Sequence, residues 1–290
     1  VDPVKKSLWS LHITVVLLGA TALFSKIIPL SATDITFGRA IVACLMLFFI
    51  VKISGGKIRL GSVKDYIVAL TLGLLMAAHW VSYFAAMQYS SVSVGMIALF
   101  TFPVITVLLE PFFEGIRLVW QDLLSALVVL FGIYLIVPEV SLDNDVTLGI
   151  MIGIASALLY AFRNLIMRKY FSHYSGSLSM AYQTLIIVLC LSFFVSPAIS
   201  QASQQTYIWL AVLGTFLTAL PHTLIATSLK HLRAKTFSLV ACMQPLYGVI
   251  LAILLLDEEP TWQTLCGGLL VISAAIYETI NAQKLHNKEK

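Results

Sequence analysis

Charge is what this 290-residue chain has least of: Asp, Glu, Lys and Arg together make up 11%, against 59% apolar residues. A soluble domain carries about 25% charged residues, so a water-exposed surface over most of this chain is excluded. Mean hydropathy is +0.94. Cysteine is also scarce. Cys44, Cys190, Cys242 and Cys266 all lie inside apolar stretches without metal-type spacing, and read as small hydrophobes rather than disulfides or ligands. No clustered ligand set for a metal is present, and no convergent nucleophile that a membrane enzyme would need. A Walker-type Gly-rich stretch ending in Lys-Ser/Thr is missing, which argues against ATP-driven transport by this chain itself. No cofactor, enzymatic activity or nucleic-acid partner is therefore expected. No stretch is long enough for a soluble domain, which leaves little from which to build a sensor.

What is present is a succession of apolar runs of about 20 residues, each long enough to cross a hydrocarbon core of about 30 Å. Without water to satisfy free backbone groups, such runs must be helical. The alternation of a β-barrel strand is absent. The spans predicted are roughly 8–29, 34–53, 65–87, 92–113, 119–137, 148–168, 177–197, 206–228, 236–256 and 262–282. The first is too long for a signal-peptide core and is expected to be retained.

Lysine and arginine are distributed with one bias. With the N-terminus inside, the inner segments hold Lys5, Lys6, Lys52, Lys57, Arg59, Lys64, Arg117, Arg168 and Lys169. They also hold Lys230, Arg233, Lys235, Lys284, Lys288 and Lys290. The outer loops hold none and carry Asp34, Glu139, Asp143, Asp145 and Asp257 to Glu259 instead. Positive-inside counting then predicts a multi-pass protein of the cell inner (plasma) membrane with both termini cytoplasmic.

A shift of 142 residues lays the second half of the chain on the first. Phe102-Pro103 falls on Gln244-Pro245, Trp120-Gln121 on Trp262-Gln263, and Lys26 on Arg168. Two repeats follow, 1–141 and 142–290. Because five spans is an odd number, the second copy enters the membrane from the opposite side. The expected fold is an all-α integral membrane protein of ten transmembrane helices, built as two inverted five-helix repeats. Inverted repeats build many secondary transporters, with the substrate near the midplane between the halves.

At this point the chain resembles the drug/metabolite transporter superfamily in its EamA-type ten-helix branch. The matching pieces are Gly19-Ala20-Thr21-Ala22-Leu23-Phe24-Ser25-Lys26, Gly38-Arg39-Ala40 and Phe102-Pro103-Val104-Ile105. Gln244-Pro245-Leu246 and Leu256-Asp257-Glu258-Glu259-Pro260-Thr261 also match. The family's Gly-Glu turn after span four is here Phe113-Glu114-Gly115-Ile116-Arg117, an altered order that weakens any role for Glu114 by analogy. The resemblance implies a cavity lined by spans one to four and six to nine, with spans five and ten behind. It also implies transport of amino acids, related metabolites or toxic compounds, most often export.

Charged residues inside a span are costly and default to functional readings. Lys26, Arg39 and Arg163 are the basic residues so placed, and all three also lie near enough to span ends to snorkel. Glu110, one turn before the end of span four, reads either as a proton-coupling site or as a structural partner of Arg117 or Arg163. His79 and Trp80, with Tyr83 one turn on, form a stripe in span three, and Trp80 aligns with His222. These residues with Tyr160, Gln244 and Tyr247 are candidate pathway residues, the alternative being helix packing. Pro103 and Pro245 are candidate hinges or static kinks. Gly149 and Gly153 are expected to allow close helix approach.

The expectation is a secondary carrier moving a small carboxylate-bearing metabolite, an amino acid or a relative, out of the cell by alternating access. A coupled ion or exchanged metabolite would drive it, in a monomer or homodimer within the lipid bilayer. A channel or a non-transporting sensor is the alternative.

Overall fold

The computed structural model describes residues 3–114, 120–136, 143–228 and 241–286. Expectations on Arg117, Glu139, Lys230, Arg233, Lys235, Lys288, Lys290 and the 141/142 repeat boundary fall outside the described residues. So do those on the side chains of Lys5, Lys6, Glu114 and Lys284.

Among the described residues every regular element is helical. The first half holds α1 (Pro3–Thr21), α2 (Phe24–Ile27), α3 (Ala32–Ile53), α4 (Val63–Tyr89), α5 (Val92–Leu99), α6 (Phe102–Glu114) and α7 (Trp120–Ile136). The second holds α8 (Asp145–Tyr170), α9 (Gly176–Leu191), α10 (Gln204–Gly214), α11 (Leu220–Ser228), α12 (Gln244–Leu256) and α13 (Trp262–His286). Six stretches are long and apolar enough to cross a membrane: Trp9–Ile27, Ala32–Ile53, Val63–Tyr89, Val92–Phe113, Asp145–Tyr170 and Gln204–Leu224. Trp120–Ile136, Gly176–Leu191, Gln244–Leu256 and Trp262–Tyr277 are shorter apolar helices.

The starts of these helices are written locally. Ser31, Ser62, Ser91, Asn144, Ser175 and Ser203 precede α3, α4, α5, α8, α9 and α10, and each side chain accepts a first-turn backbone N–H. Each cap satisfies an orphan donor that the apolar surroundings could not. One predicted boundary is corrected. The seventh span was expected to reach residue 197, but α9 stops at Leu191. Beyond it Ser196 donates its backbone N–H and its hydroxyl to Asp34, at 2.9 and 2.7 Å, drawing the chain across to the start of α3.

Several long apolar runs are broken near their middles. α1 and α2 part at Ala22-Leu23, and α5 and α6 part at Phe100-Thr101. A turn at Cys242-Met243, equivalent to Phe100-Thr101 under the 142-residue shift, precedes α12. A π-helical turn at Thr215–Ala219 joins α10 to α11. Pro103 and Pro245 are the second residues of α6 and α12, where a missing N–H costs no helical bond. They therefore start new half-helices just after a break, rather than kinking a continuous one.

The packing comes in matched pairs under the same shift. α4 lies on α8 as α11 lies on α1, and α6 on α8 as α12 on α1. α7 pairs with α13, and α3 with α9, each helix on its own counterpart. Small residues set the closest approach: a Cβ on Gly132 of α7 would stand 2.9 Å from the Gly267 carbonyl of α13. A Cβ on Gly149 or Gly153 would meet the Ala86 carbonyl at 2.8 Å or the Ala98 side chain at 2.7 Å. Those two glycines thus serve contacts within the chain. The outer faces of α7 and α13 expose Leu127, Leu130, Phe131, Leu265 and Leu269, an apolar surface suited to lipid.

Candidate substrate cavity

A cavity of about 620 Å³ lies between α1, α3, α4, α6, α8, α9 and α11. At one end its lining continues to Arg168 and Ser172, both exposed. That is the end where basic loops gather. The Tyr174 hydroxyl accepts the Gly61 N–H at 2.6 Å and donates to Asp65 at 2.9 Å, and Tyr182 donates to the Ile58 carbonyl. These bonds bring the loop of Lys57 and Arg59 beside the one that follows Lys169.

The opposite end gathers the acids and is laced shut. Glu258 accepts the N–H groups of Val92 and Ser93, at 2.7 and 3.1 Å, and the Ser93 hydroxyl at 2.7 Å, at the α5 N-terminus. A carboxylate suits that position because the helix N-terminus is partially positive. Lys26 donates to the carbonyls of Gln88 and Ser90, at 3.2 and 3.0 Å. With the Asp34–Ser196 bonds these contacts close that end, and no residue of its described loops lines the cavity.

Arg39 holds the centre of the argument. Its residue is only 2% exposed, although α3 carries it into the bundle interior. The guanidinium carbon sits 3.6 Å from the Trp80 ring centroid and 4.8 Å from that of Phe84. Both are cation–π contacts, which offset part of the cost of leaving water. Among the described residues no carboxylate pairs with it, and its Nε has no hydrogen-bond partner. The buried Tyr83 hydroxyl beside it is also unpartnered. Buried donors are normally satisfied, and both of these unpartnered groups belong to residues that line the one cavity.

Arg163 is built differently. Its Nε donates to Gln183 Oε1 at 2.8 Å, one NH to Asn164 Oδ1 at 2.9 Å, and the other faces the Met180 sulfur at 3.3 Å. Gln183 is held in turn by donating to the Ser179 carbonyl and hydroxyl. The arginine is thereby fixed by neutral acceptors, with no carboxylate among these partners. Among the described residues no Asp or Glu lines the cavity, while Arg39, Arg163 and Arg168 do.

Rings form the wall between these charges. Phe102 meets Tyr160 edge-on at 4.9 Å, Tyr160 stacks on His79 at 4.6 Å, and His79 stacks toward Tyr83 at 6.1 Å. The Ser156 hydroxyl donates to the His79 carbonyl and so accepts from His79 Nδ1, at 2.8 Å. Nδ1 therefore carries the proton and Nε2 remains the acceptor. His222 repeats the pattern, its Nδ1 donating to the Thr218 carbonyl at 2.7 Å. The π-helical turn that contains Thr218 sets the orientation of that ring. The first residues of α6, Phe102 and Pro103, and Gln244 at the start of α12 also line the cavity.

Of the candidate pathway residues, the structure gathers Arg39, His79, Trp80, Tyr83, Tyr160, Arg163, His222 and Gln244 around one space. Lys26 and Tyr247 stand apart. Lys26 belongs to the sealed acidic end, and Tyr247 packs against Leu11 and Val15 behind α1. Pro103 lines the cavity and Pro245 is buried behind it. Glu110 is not a lining residue and pairs with Arg168 at the basic mouth rather than with Arg163, while Arg117 lies outside the described residues. Lys169 beside it donates to the Phe113 carbonyl. Residues that the sequence reading left out of the pathway are Arg168, Phe102, Met180 and Thr218. Arg168 carried a signal, since it aligns with Lys26, but its position at a span end masked it.

The profile of the EamA-like transporter family matches residues 5–137 and again 147–277. The chain belongs to the EamA-like transporter family. It is a multi-pass membrane transporter and not an enzyme. An uncharacterized transporter of Bacillus subtilis (strain 168), YxxF, is 25% identical over 273 residues, covering 92% of this chain and 87% of that one. An uncharacterized transporter of Clostridium kluyveri is 22% identical over 233 residues, covering 77% and 73%. One of Archaeoglobus fulgidus is 24% identical over 196 residues, covering 67% and 70%. Among solved structures, a crystal structure at 15% identity superposes with a TM-score of 0.64 over 97% of this chain and 99% of that one, and shares the fold. The two family matches fall one on each half of this EamA protein, and the cavity lies where the halves meet.

Proposed function

We propose that this EamA-family transporter is a secondary carrier that moves a small carboxylate-bearing metabolite, such as an amino acid or a relative of one, out of the cell by alternating access. The observation that carries this reading is the buried Arg39, beside an unpartnered Tyr83 hydroxyl, in a cavity where no described residue supplies a carboxylate. A substrate carboxylate would complete both, through the charge-assisted hydrogen bonds that arginine makes well. The ring wall offers an apolar body its complementary surface.

The carrier would be built as ten spans in two inverted five-span halves, near 1–141 and 142–290. The equivalent breaks at Phe100-Thr101 and Cys242-Met243 and the matched helix pairs support that symmetry. The basic end, by the positive-inside rule, would face the cytoplasm of the inner membrane with both termini. The cavity is then open to the compartment from which an exported metabolite loads, and outward opening requires release of the Glu258, Asp34 and Lys26 contacts. Proton coupling through Glu110 would act by way of Arg168: a neutralised Glu110 frees that guanidinium at the mouth.

The test is flux of labelled carboxylates into proteoliposomes made with the wild type and with Arg39→Gln. Saturable flux that collapses in the variant is the expected result. Equal flux in the two proteins, or strict preference for cations, overturns the charge argument.

A further inference from the structure

The cavity's charge inventory narrows the substrate within the class just proposed, and rests on that reading. An amino acid brings an ammonium as well as a carboxylate, and that ammonium needs a place. Asn164 Oδ1 already accepts from Arg163, and the Trp80 and Phe84 rings already lie against Arg39. The acceptors that remain are neutral, among them Nε2 of His79, Nε2 of His222, the Tyr160 ring and hydroxyl, the Thr21 and Thr218 hydroxyls and the Gln244 amide. No described lining residue is acidic. Gln183, Asn164 and Met180, which hold Arg163, are all neutral, and among the described residues Arg39 has no counter-ion.

We infer that this cavity selects a net anion, a carboxylate on an apolar or ring-bearing body with no ammonium group, over the zwitterionic amino acid of the same skeleton. A cavity of about 620 Å³ is roughly 10 Å across if treated as a sphere. An ammonium held within about 8 Å of either guanidinium is repelled by it. A unit charge at about 8 Å through an effective dielectric of about 20 changes affinity by roughly thirtyfold. The two guanidiniums push the same way. The histidine acceptors oppose this by the strength of hydrogen bonds to neutral groups, which falls short of the sum. In the deaminated compound those acceptors go to water, or to a hydroxyl in a 2-hydroxy acid.

The test is binding to the full chain in detergent, by calorimetry, for two matched sets. One is 3-phenylpropionate, phenylalanine and 2-phenylethylamine; the other is 4-methylpentanoate, leucine and isopentylamine. The expected result is that each carboxylate binds at least tenfold tighter than its amino acid, with no binding of the amines. In Arg39→Met the advantage of the carboxylate should shrink several-fold while the melting temperature holds. Equal or tighter binding of the amino acids overturns the inference, as does binding of no member of either set. Neither outcome touches the carrier reading, which fails instead if a ligand that binds is never exchanged across the membrane.

Discussion

Replacing Arg39 by Met separates a residue kept for a ligand from one kept for the fold. The side chains are of similar length, and Met leaves an apolar stem against Trp80 and Phe84. What is lost is two cation–π contacts, each worth about 2 kcal/mol when desolvated, part of which the Met stem and sulfur recover against the same rings. What is regained is the cost of keeping a guanidinium out of water without a carboxylate, several kcal/mol in its own right. The fold should therefore hold, or gain about 1–3 kcal/mol. Binding should move the other way. Hydrogen bonds to a charged group contribute about 1.5–3 kcal/mol, so affinity for a bound carboxylate should fall roughly 10- to 150-fold. The assay is a thermal melt in detergent run beside a calorimetric Kd. A variant that melts at or above the wild-type temperature and binds weakly fits the reasoning. A Kd left unchanged, or a melting temperature that drops by many degrees, refutes it.

Arg163→Met should behave in the opposite sense on stability. It leaves the buried Gln183 Oε1 without its donor, which costs about 1–3 kcal/mol and should lower the melting temperature. Gly132→Val forces side-chain atoms against the Gly267 backbone and should destabilise by about 1–3 kcal/mol, as overpacking does. Because α7 and α13 lie behind the cavity, the Kd of the folded fraction should stay at the wild-type value. Glu110→Gln removes the ion pair with Arg168. If that pair is the coupling element, stimulation of flux by a pH gradient should vanish while binding persists, read from uptake with and without the gradient.

Much of the fold is legible in the sequence because lipid imposes so few solutions. Apolar length, the Ser caps and the segregation of Lys from Asp and Glu are all local quantities. The end of α9 is not, because Phe193, Phe194 and Val195 continue the apolar run past Leu191, while Ser196 reaches Asp34, 162 residues away. The break at Phe100-Thr101 was half visible: Pro103 announced a discontinuity, though the chain parts just before it. In the cavity, polar residues such as Arg39, His79 and His222 stand out against apolar neighbours. Whether such a residue faces inward depends on helix rotation, which is why Tyr247 turns toward Leu11 and Val15. Arg168 and Glu110 show the remaining gap. Two charged residues near the ends of different spans look interfacial, and only the packing of α6 on α8 joins them across the mouth.

The most direct test of the central claim is counterflow in proteoliposomes loaded with an unlabelled carboxylate and diluted into a trace of the labelled compound. Carrier action predicts a transient accumulation of label above its equilibrium level, saturable and lost in Arg39→Gln. Uptake that never exceeds equilibrium, and that is indifferent to what the vesicles contain, contradicts alternating access and describes a channel instead.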